Sequence, residues 1–270
     1  MQANTHILVI RLSAMGDVAM TIPVIRALIE QHQEIKITFL SKAFLKPLFD
    51  GIPNVTFYAA DVTKKHKGVL GLYQLYKELK KLKITHIADV HNVLRSKILR
   101  SYFKFSSKHI GVIDKGRSEK KALTRTTDKI FKQLKTSHER YAAVFRKLGF
   151  SVDISKPTRL EKSKLQNSII NLVGEKKNHW IGIAPFAAYD AKMYPLDLME
   201  KVIDELSTKN TLLLFGGGKS EIETLSKIEK KFSNCISVAG KLNLSEELNA
   251  IAHLDCMLAM DSGNAHFSAM

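Results

Sequence analysis

The stretch Ile7-Leu8-Val9-Ile10-Arg11-Leu12-Ser13-Ala14-Met15-Gly16-Asp17-Val18 decides the fold class. An unbroken apolar run reads as a strand buried on both faces. A loop of small residues follows, carrying one glycine and one carboxylate, and a helix then opens with Asp17 in its first turn. An acidic residue there complements the positive end of the helix dipole, which is reason enough for its presence. The same position lies beyond the carboxyl end of a strand, the edge at which open α/β sheets bind ligands.

Outward from this passage the apolar period alternates between strand-like and helix-like stretches, the pattern of a mostly parallel βα-repeated sheet. Strands are expected at His6–Arg11, Ile35–Leu40, Asn54–Tyr58, Ile84–Val90 and Lys108–Val112. Helices are expected at Asp17–Gln31, Leu70–Leu82, Asn92–Phe103 and Ser137–Leu148, the last with a polar cap at Ser137 and Gly149 as its C-cap. The stretch Ser151–Lys164 turns polar around Pro157, which sets a boundary between a first domain, 1–155, and a second, 156–270. The second domain repeats the alternation. Its strands are His179–Ala184, Thr211–Phe215, Cys235–Val238 and Asp255–Met260, with helices near Leu196–Ser207, Lys219–Phe232 and Ser245–Ala252. The sequence stops shortly after the last strand, so this domain reads as incomplete. Two such domains are expected to face each other across a cleft.

The 270 residues carry a formal charge of +16, all of it in the first domain. Residues 1–155 hold 28 Lys and Arg against 12 Asp and Glu, whereas residues 156–270 hold 14 of each. The excess is densest from Arg95 to Lys135, with 13 basic residues against three acids. Such a field suits nucleic acid, an anionic membrane or a phosphorylated substrate. Nucleic acid is disfavoured because aromatic residues are not interleaved with the basic ones, apart from Tyr102, Phe103 and Phe105. Cys235 and Cys256 imply no disulfide framework and read as core residues. With no uncharged run long enough to span a bilayer and no signal peptide pattern, the chain is expected in the cytosol.

Most nucleotide motifs are missing. Gly216-Gly217-Gly218-Lys219-Ser220 lacks the glycine that a phosphate-binding P-loop needs, since Leu213 stands in its place. No Gly-x-Gly-x-x-Gly follows the first strand, which disfavours a nicotinamide or flavin enzyme. No Asp-x-Asp and no cluster with metal-ligand spacing occurs, so no metal is expected. Two segments do suit an anion. Asp261-Ser262-Gly263-Asn264-Ala265-His266 leads from a strand into a helix, where backbone N–H groups and the helix dipole favour negative charge. Lys192 lies in a strand-to-helix loop, where an ammonium can neutralise a diphosphate.

Taken together, these pieces resemble glycosyltransferase family 9, the ADP-heptose:lipopolysaccharide heptosyltransferases. The resemblance begins with Ile7–Pro23, similar to the family's opening of an apolar strand, Arg-x-Ser-x-x-Gly-Asp and a helix with Thr-x-Pro. It continues through Asp89-Val90-His91-Asn92-Val93-Leu94-Arg95-Ser96 and His138-Glu139-Arg140-Tyr141 to the Lys192 loop and the Asp261-Ser262-Gly263…His266 segment. The chain departs from the usual pattern at Ala184-Pro185-Phe186, where many members have His-Pro-Gly, and at Met193-Tyr194, where they have Trp.

The resemblance implies a GT-B fold of two Rossmann-like domains, with the acceptor on the first, the nucleotide-sugar on the second, and inversion at the anomeric carbon without metal or other cofactor. It implies Asp17 as general base on an acceptor hydroxyl. Lys192, Asp261, Ser262, Gly263 and His266 would bind the donor, and Ser13, Gly16, Asp89 and Arg95 the acceptor. The expected partners are ADP-heptose, an anionic lipid-linked acceptor and, peripherally, an anionic membrane. The alternatives are a GT-B transferase using another nucleotide-sugar, and a non-catalytic binder of anionic glycolipid or nucleic acid.

Overall fold

A computed structural model describes residues 5–104, 109–156 and 162–270. The chain falls into two compact units, Met1–Thr158 and Arg159–Met270.

Among the described residues, the first unit holds a five-stranded parallel sheet of β1 (His6–Ile10), β2 (Lys36–Ser41), β3 (Val55–Ala59), β4 (His86–Asp89) and β5 (His109–Val112), in the order β3-β2-β1-β4-β5. Lys108 and Phe105 lie outside the described residues. Ile7, Leu8, Val9 and Ile10 of the central strand are fully buried, which is why β1 reads as a continuous apolar run. The helices are α1 (Met15–Ala19), α2 (Ile22–Gln31), α3 (Gly68–Lys80), α4 (Leu94–Lys104), α5 (Arg117–Thr124) and α6 (Ser137–Lys147). One core cluster packs Leu72, Leu75 and Leu79 of α3 and Leu99 and Phe103 of α4 onto Leu8, Ile10 and Ile87 of the sheet.

In the first unit three expectations need correction. The helix expected over Asp17–Gln31 is broken after Ala19 and resumes at Ile22. Pro23 has no N–H for the carbonyl of Ala19 and its ring crowds that turn, so the chain breaks there, while the Thr21 hydroxyl donates to Val18 O at 2.6 Å. Asn92 adopts a left-handed conformation (φ 48°), so α4 starts only at Leu94. Finally, Thr136 rather than Ser137 caps α6, accepting from the Glu139 N–H at 3.2 Å. Two helices, α5 and, in the second unit, α7 (Asn167–Val173), have no counterpart among the expected elements.

The second unit holds, among the described residues, a four-stranded parallel sheet of β6 (Trp180–Ala184), β7 (Thr211–Leu214), β8 (Cys235–Ser237) and β9 (Cys256–Ala259), in the order β8-β7-β6-β9. Its remaining helices are α8 (Leu196–Ser207), α9 (Lys219–Lys231), α10 (Leu244–Ala252) and α11 (Gly263–Ser268). Ile183, Ile203, Leu212, Leu214, Leu225 and Ile228 form its core with Cys235. Cys256 is exposed, not a core residue, because it opens β9, the edge strand of the described sheet.

Both ends of the polar stretch Ser151–Lys164 are docked. Gln31 donates to Asp153 O at 2.8 Å and Arg146 Nε to Val152 O at 3.1 Å, while Asn249 donates to Ser163 Oγ at 2.8 Å. Pro157 lies outside the described residues. No helix among the described residues is long and apolar enough to cross a membrane.

Candidate active site

In the first unit β1 lies between β2 and β4, and the chain leaves β1 toward β2 but leaves β4 toward β5. The loops after these two neighbours therefore diverge and open a crevice at the carboxyl edge, the usual ligand position in such sheets. Ser13, Gly16 and Asp17 come from the β1 loop, and Asp89, His91 and Arg95 from the segment after β4.

Arg11, the first residue beyond β1, ties the crevice together. Its buried guanidinium pairs with Asp17 Oδ2, donates to Val90 O at 2.8 Å and lies 5.9 Å from the centre of the Tyr141 ring. Ala14 N–H also donates to Asp17 Oδ2, at 3.3 Å, which is the half of a capping box that an alanine cap allows. The Tyr141 hydroxyl donates to the Asp17 carbonyl at 3.4 Å. Asp17 thus has one oxygen anchored, and its other oxygen has no hydrogen-bond partner among the described residues. The side chain is 37% exposed. A carboxylate held by one oxygen and open at the other can accept a proton from a ligand.

His91 is buried and accepts the Leu12 N–H on Nδ1 at 3.3 Å. Its proton therefore sits on Nε2, which faces Ser13 Oγ at 3.4 Å. Burial, then the nearby Arg11 and Lys115, lower its pKa to about 4, so the ring is neutral at physiological pH. Burial and the charges of Arg11 and Arg117 also lower the pKa of Lys115, which Asp17 and Asp89 partly offset. Burial raises that of Tyr141 to about 12.

Asp89, which the resemblance places on the acceptor, presents no surface to it. It is fully buried; Oδ1 accepts the N–H groups of His91 (3.1 Å) and Asn92 (2.7 Å), and Oδ2 accepts from Arg100 at 2.6 Å. One oxygen shapes the loop that carries His91 and the other ties that loop to Arg100 of α4. Arg95 is exposed in the first turn of α4.

The second unit repeats the arrangement at the carboxyl ends of β6 and β9, which are adjacent while their loops lead to different helices. Lys192, in a 3₁₀ turn at Asp190–Lys192, pairs with Asp261 just beyond β9. The pairing raises the pKa of Lys192 and lowers that of Asp261, to which His266 adds. Ser262 is the N-cap of α11, with Gly263 and His266 in the helix behind it. Its Oγ is buried and, among the described residues, unpartnered; the other two such atoms, Arg11 Nε and Ser41 Oγ, also sit at or just beyond a strand's carboxyl end. In the Gly216–Gly218 loop Glu221 takes the place an anion would occupy, accepting the Gly217 N–H at 2.7 Å. Among the described residues, no three or more His, Cys, Asp or Glu side chains are grouped so as to hold a metal ion.

The profile of glycosyltransferase family 9 (heptosyltransferase) matches residues 72–270. The chain belongs to glycosyltransferase family 9. Like the rest of this family, it is a glycosyltransferase with an α/β fold of the GT-B type. It is 24% identical over 274 aligned positions to the lipopolysaccharide core heptosyltransferase OpsX of Haemophilus influenzae, covering 99% of this chain and 76% of that protein. It is also 24% identical over 261 positions to lipooligosaccharide heptosyltransferase 2 of Campylobacter jejuni, covering 95% of this chain and 75% of the other. Among solved structures, the family 9 glycosyltransferase of Veillonella parvula superposes with a TM-score of 0.77 at 19% identity, covering 99% of this chain and 79% of that one. E. coli heptosyltransferase WaaC with ADP-2-deoxy-2-fluoro heptose superposes with a TM-score of 0.71 at 17% identity, covering 98% and 85%.

In this family 9 glycosyltransferase, Ser13, Gly16 and Asp17 gather at one crevice and Lys192, Asp261, Ser262, Gly263 and His266 at another. The sequence reading assigned no site role to Arg11, His91, Lys115 or Tyr141. Arg11 could have been found: a lone charge at the end of a wholly buried strand must have a partner nearby.

Proposed function

We propose that this chain is an inverting, metal-independent transferase that moves heptose from ADP-heptose to the anionic core of lipopolysaccharide, with residues 1–155 binding the acceptor and 156–270 the nucleotide-sugar. The relatives' names support the acceptor class, and the ligand of the solved E. coli relative supports the donor. Such a reaction belongs in the cytosol, with peripheral contact to an anionic membrane; no nucleic acid takes part.

The half-anchored carboxylate of Asp17 carries this reading. Its open oxygen takes the proton of an acceptor hydroxyl as the hydroxyl oxygen attacks the anomeric carbon from the face opposite the leaving group. The new C–O bond forms, the bond from the anomeric carbon to the diphosphate oxygen breaks, and ADP leaves with the electron pair. Arg11 holds the carboxylate in place, and neutral His91 holds the loop through the Leu12 N–H. Ser13 and Gly16 line the acceptor side, Arg95 meets acceptor phosphates, and Asp89 acts through the loop it shapes.

Asp261 holds the Lys192 ammonium until the diphosphate competes for it, and the amides behind Ser262, with His266, add charge stabilisation as the leaving group forms. Replacing Asp17→Asn should lower transfer by about 10²–10⁴-fold, the usual weight of a general base, while leaving ADP binding unchanged. Undiminished turnover refutes the assignment. A panel of ADP-, UDP- and GDP-sugars in thermal shift separates the donor from other nucleotide-sugars, because a ligand that binds the native state raises its apparent stability.

A further inference from the structure

Pairing the charges at the carboxyl edge of the first sheet leaves two cations over. Arg11 is held by Asp17, Arg100 by Asp89 and Arg140 by Glu119, and His91 is neutral. Lys115 and Arg117, which flank Gly116, have no ion-pair or hydrogen-bond partner among the described residues. Lys115 belongs to the Asp17 crevice. The charges of Arg11, Arg117, Asp17 and Asp89 all act on it, and it acts in turn on His91, so its ammonium lies among the groups that hold the carboxylate. It makes no ion pair with Asp17, whose anchored oxygen Arg11 already takes.

The backbone that carries Lys115 is fixed. The Ile113 N–H donates to Asp89 O at 3.0 Å, Asn92 Nδ2 to Ile113 O at 3.1 Å, and the Gly116 N–H to Asp114 Oδ1 at 2.8 Å. Arg140 donates to Asp114 O at 3.3 Å, and its guanidinium fills the space that a side chain at Gly116 would need. Gly116 is left-handed (φ 59°), a conformation that glycine adopts without strain. The lysine therefore starts from a set position just beyond β5, next to the loop after β4 that carries His91.

This placement works against the fold. Burial strips water from the ammonium and Arg11 and Arg117 repel it, so its pKa falls, with Asp17 and Asp89 offsetting only part. An ordinary surface lysine keeps its charged head in water. A half-buried cation with like charges for neighbours and no counter-ion is instead stabilised by an arriving anion.

We propose that Lys115, with Arg117 beside it, binds an anionic group, carboxylate or phosphate, on the same acceptor sugar whose hydroxyl meets the open oxygen of Asp17. The proposal rests on reading the first unit as the acceptor unit, and it makes Lys115 a specificity-determining residue. An ammonium meets a compact anion of either kind as a point charge.

The test is titration calorimetry of the whole chain, with ADP present, against deacylated lipopolysaccharide core in three forms: untreated, with its carboxylates converted to amides, and with its phosphates removed. For the intact chain at least one treatment should weaken binding by about ten-fold or more, the weight of a hydrogen bond to a charged group, and so name the anion. Lys115→Met should bind the untreated core about as weakly as the intact chain binds that treated form, and should lose nothing further on the same treatment. Its ADP affinity should not change. Its urea midpoint should hold or rise, because a repelled charge is gone, whereas a lysine kept for the fold would lower it. Equal affinity of Lys115→Met and the intact chain for the untreated core overturns the proposal, as does indifference of the intact chain to both treatments. Losses from substitution and treatment that multiply, a lowered urea midpoint, or a drop in ADP affinity overturn it too. An intact chain that binds the three forms as expected but transfers no heptose overturns the transferase reading and leaves the anion site standing.

Discussion

Acidification should unfasten the loop that carries Asp17, and His91 is the group through which it does so. Its pKa lies at about 4 in the folded chain against an ordinary 6.5, because burial and the cations Arg11 and Lys115 oppose its charge. A histidine with a lowered folded pKa favours the native state only while it is neutral. The contribution is therefore complete above pH 6.5 and is lost as the pH falls from there toward 4. Over the span from pH 7 to 4.5 the linkage relation gives about 2.4 kcal/mol, a large part of a typical domain's stability. His91→Asn keeps an acceptor for the Leu12 N–H but cannot titrate. Because Trp180, the single tryptophan, belongs to the second unit, the loss should be read by urea denaturation with deuterium uptake of the peptide spanning β1. The intact chain should lose about 2 kcal/mol more than the variant over this pH range. Parallel pH profiles for the two proteins refute the reasoning.

Asp89→Ala removes the fully buried acceptor of two loop N–H groups and leaves the partly buried Arg100 with only the long contact to Asn92 Oδ1, and should cost about 3–5 kcal/mol in urea denaturation; a loss under about 1 kcal/mol contradicts the burial argument. Gly111→Ala sets a methyl group 2.8 Å from Val144 O and 2.9 Å from Leu148 Cγ, so β5 and α6 must part and calorimetry should show a destabilisation of about 1–3 kcal/mol. Lys192→Ala should weaken ADP binding by about ten-fold or more in titration calorimetry, the weight of a charge-assisted hydrogen bond, without changing the folded content by circular dichroism. Unchanged affinity would remove Lys192 from the donor site.

The sheet was readable because its strands are buried on both faces: Ile7 to Ile10 and Leu212 to Phe215 can be little else. That Asp17, Lys192 and Asp261 stand beyond strand ends was readable because the apolar runs before them mark those ends. Local signals failed where geometry overrode propensity. Asn92 looks like the start of a helix, but its left-handed backbone comes from the two N–H groups that Asp89 draws in behind it. Arg11, His91 and Tyr141 meet only because residues about 50 to 130 positions apart in sequence converge on one edge, as parallel pairing requires. Nothing in the spacing of those three residues announces that convergence. The α5 segment went unread for the opposite reason: it has no apolar period, since it has no core to face.

The break between α1 and α2 has a mechanical consequence. The second helix is clamped to the sheet by Ile22, Val24, Ile25, Ala27, Leu28 and Ile29, whereas the five residues bearing Asp17 bury only Val18 and Ala19. In one continuous rod, any tilt of the carboxylate would drag six core side chains with it. With Met20 and Thr21 as a joint, the short segment can tilt while the long one stays fixed, so the carboxylate proposed as the base has compliance of its own on a rigid foundation.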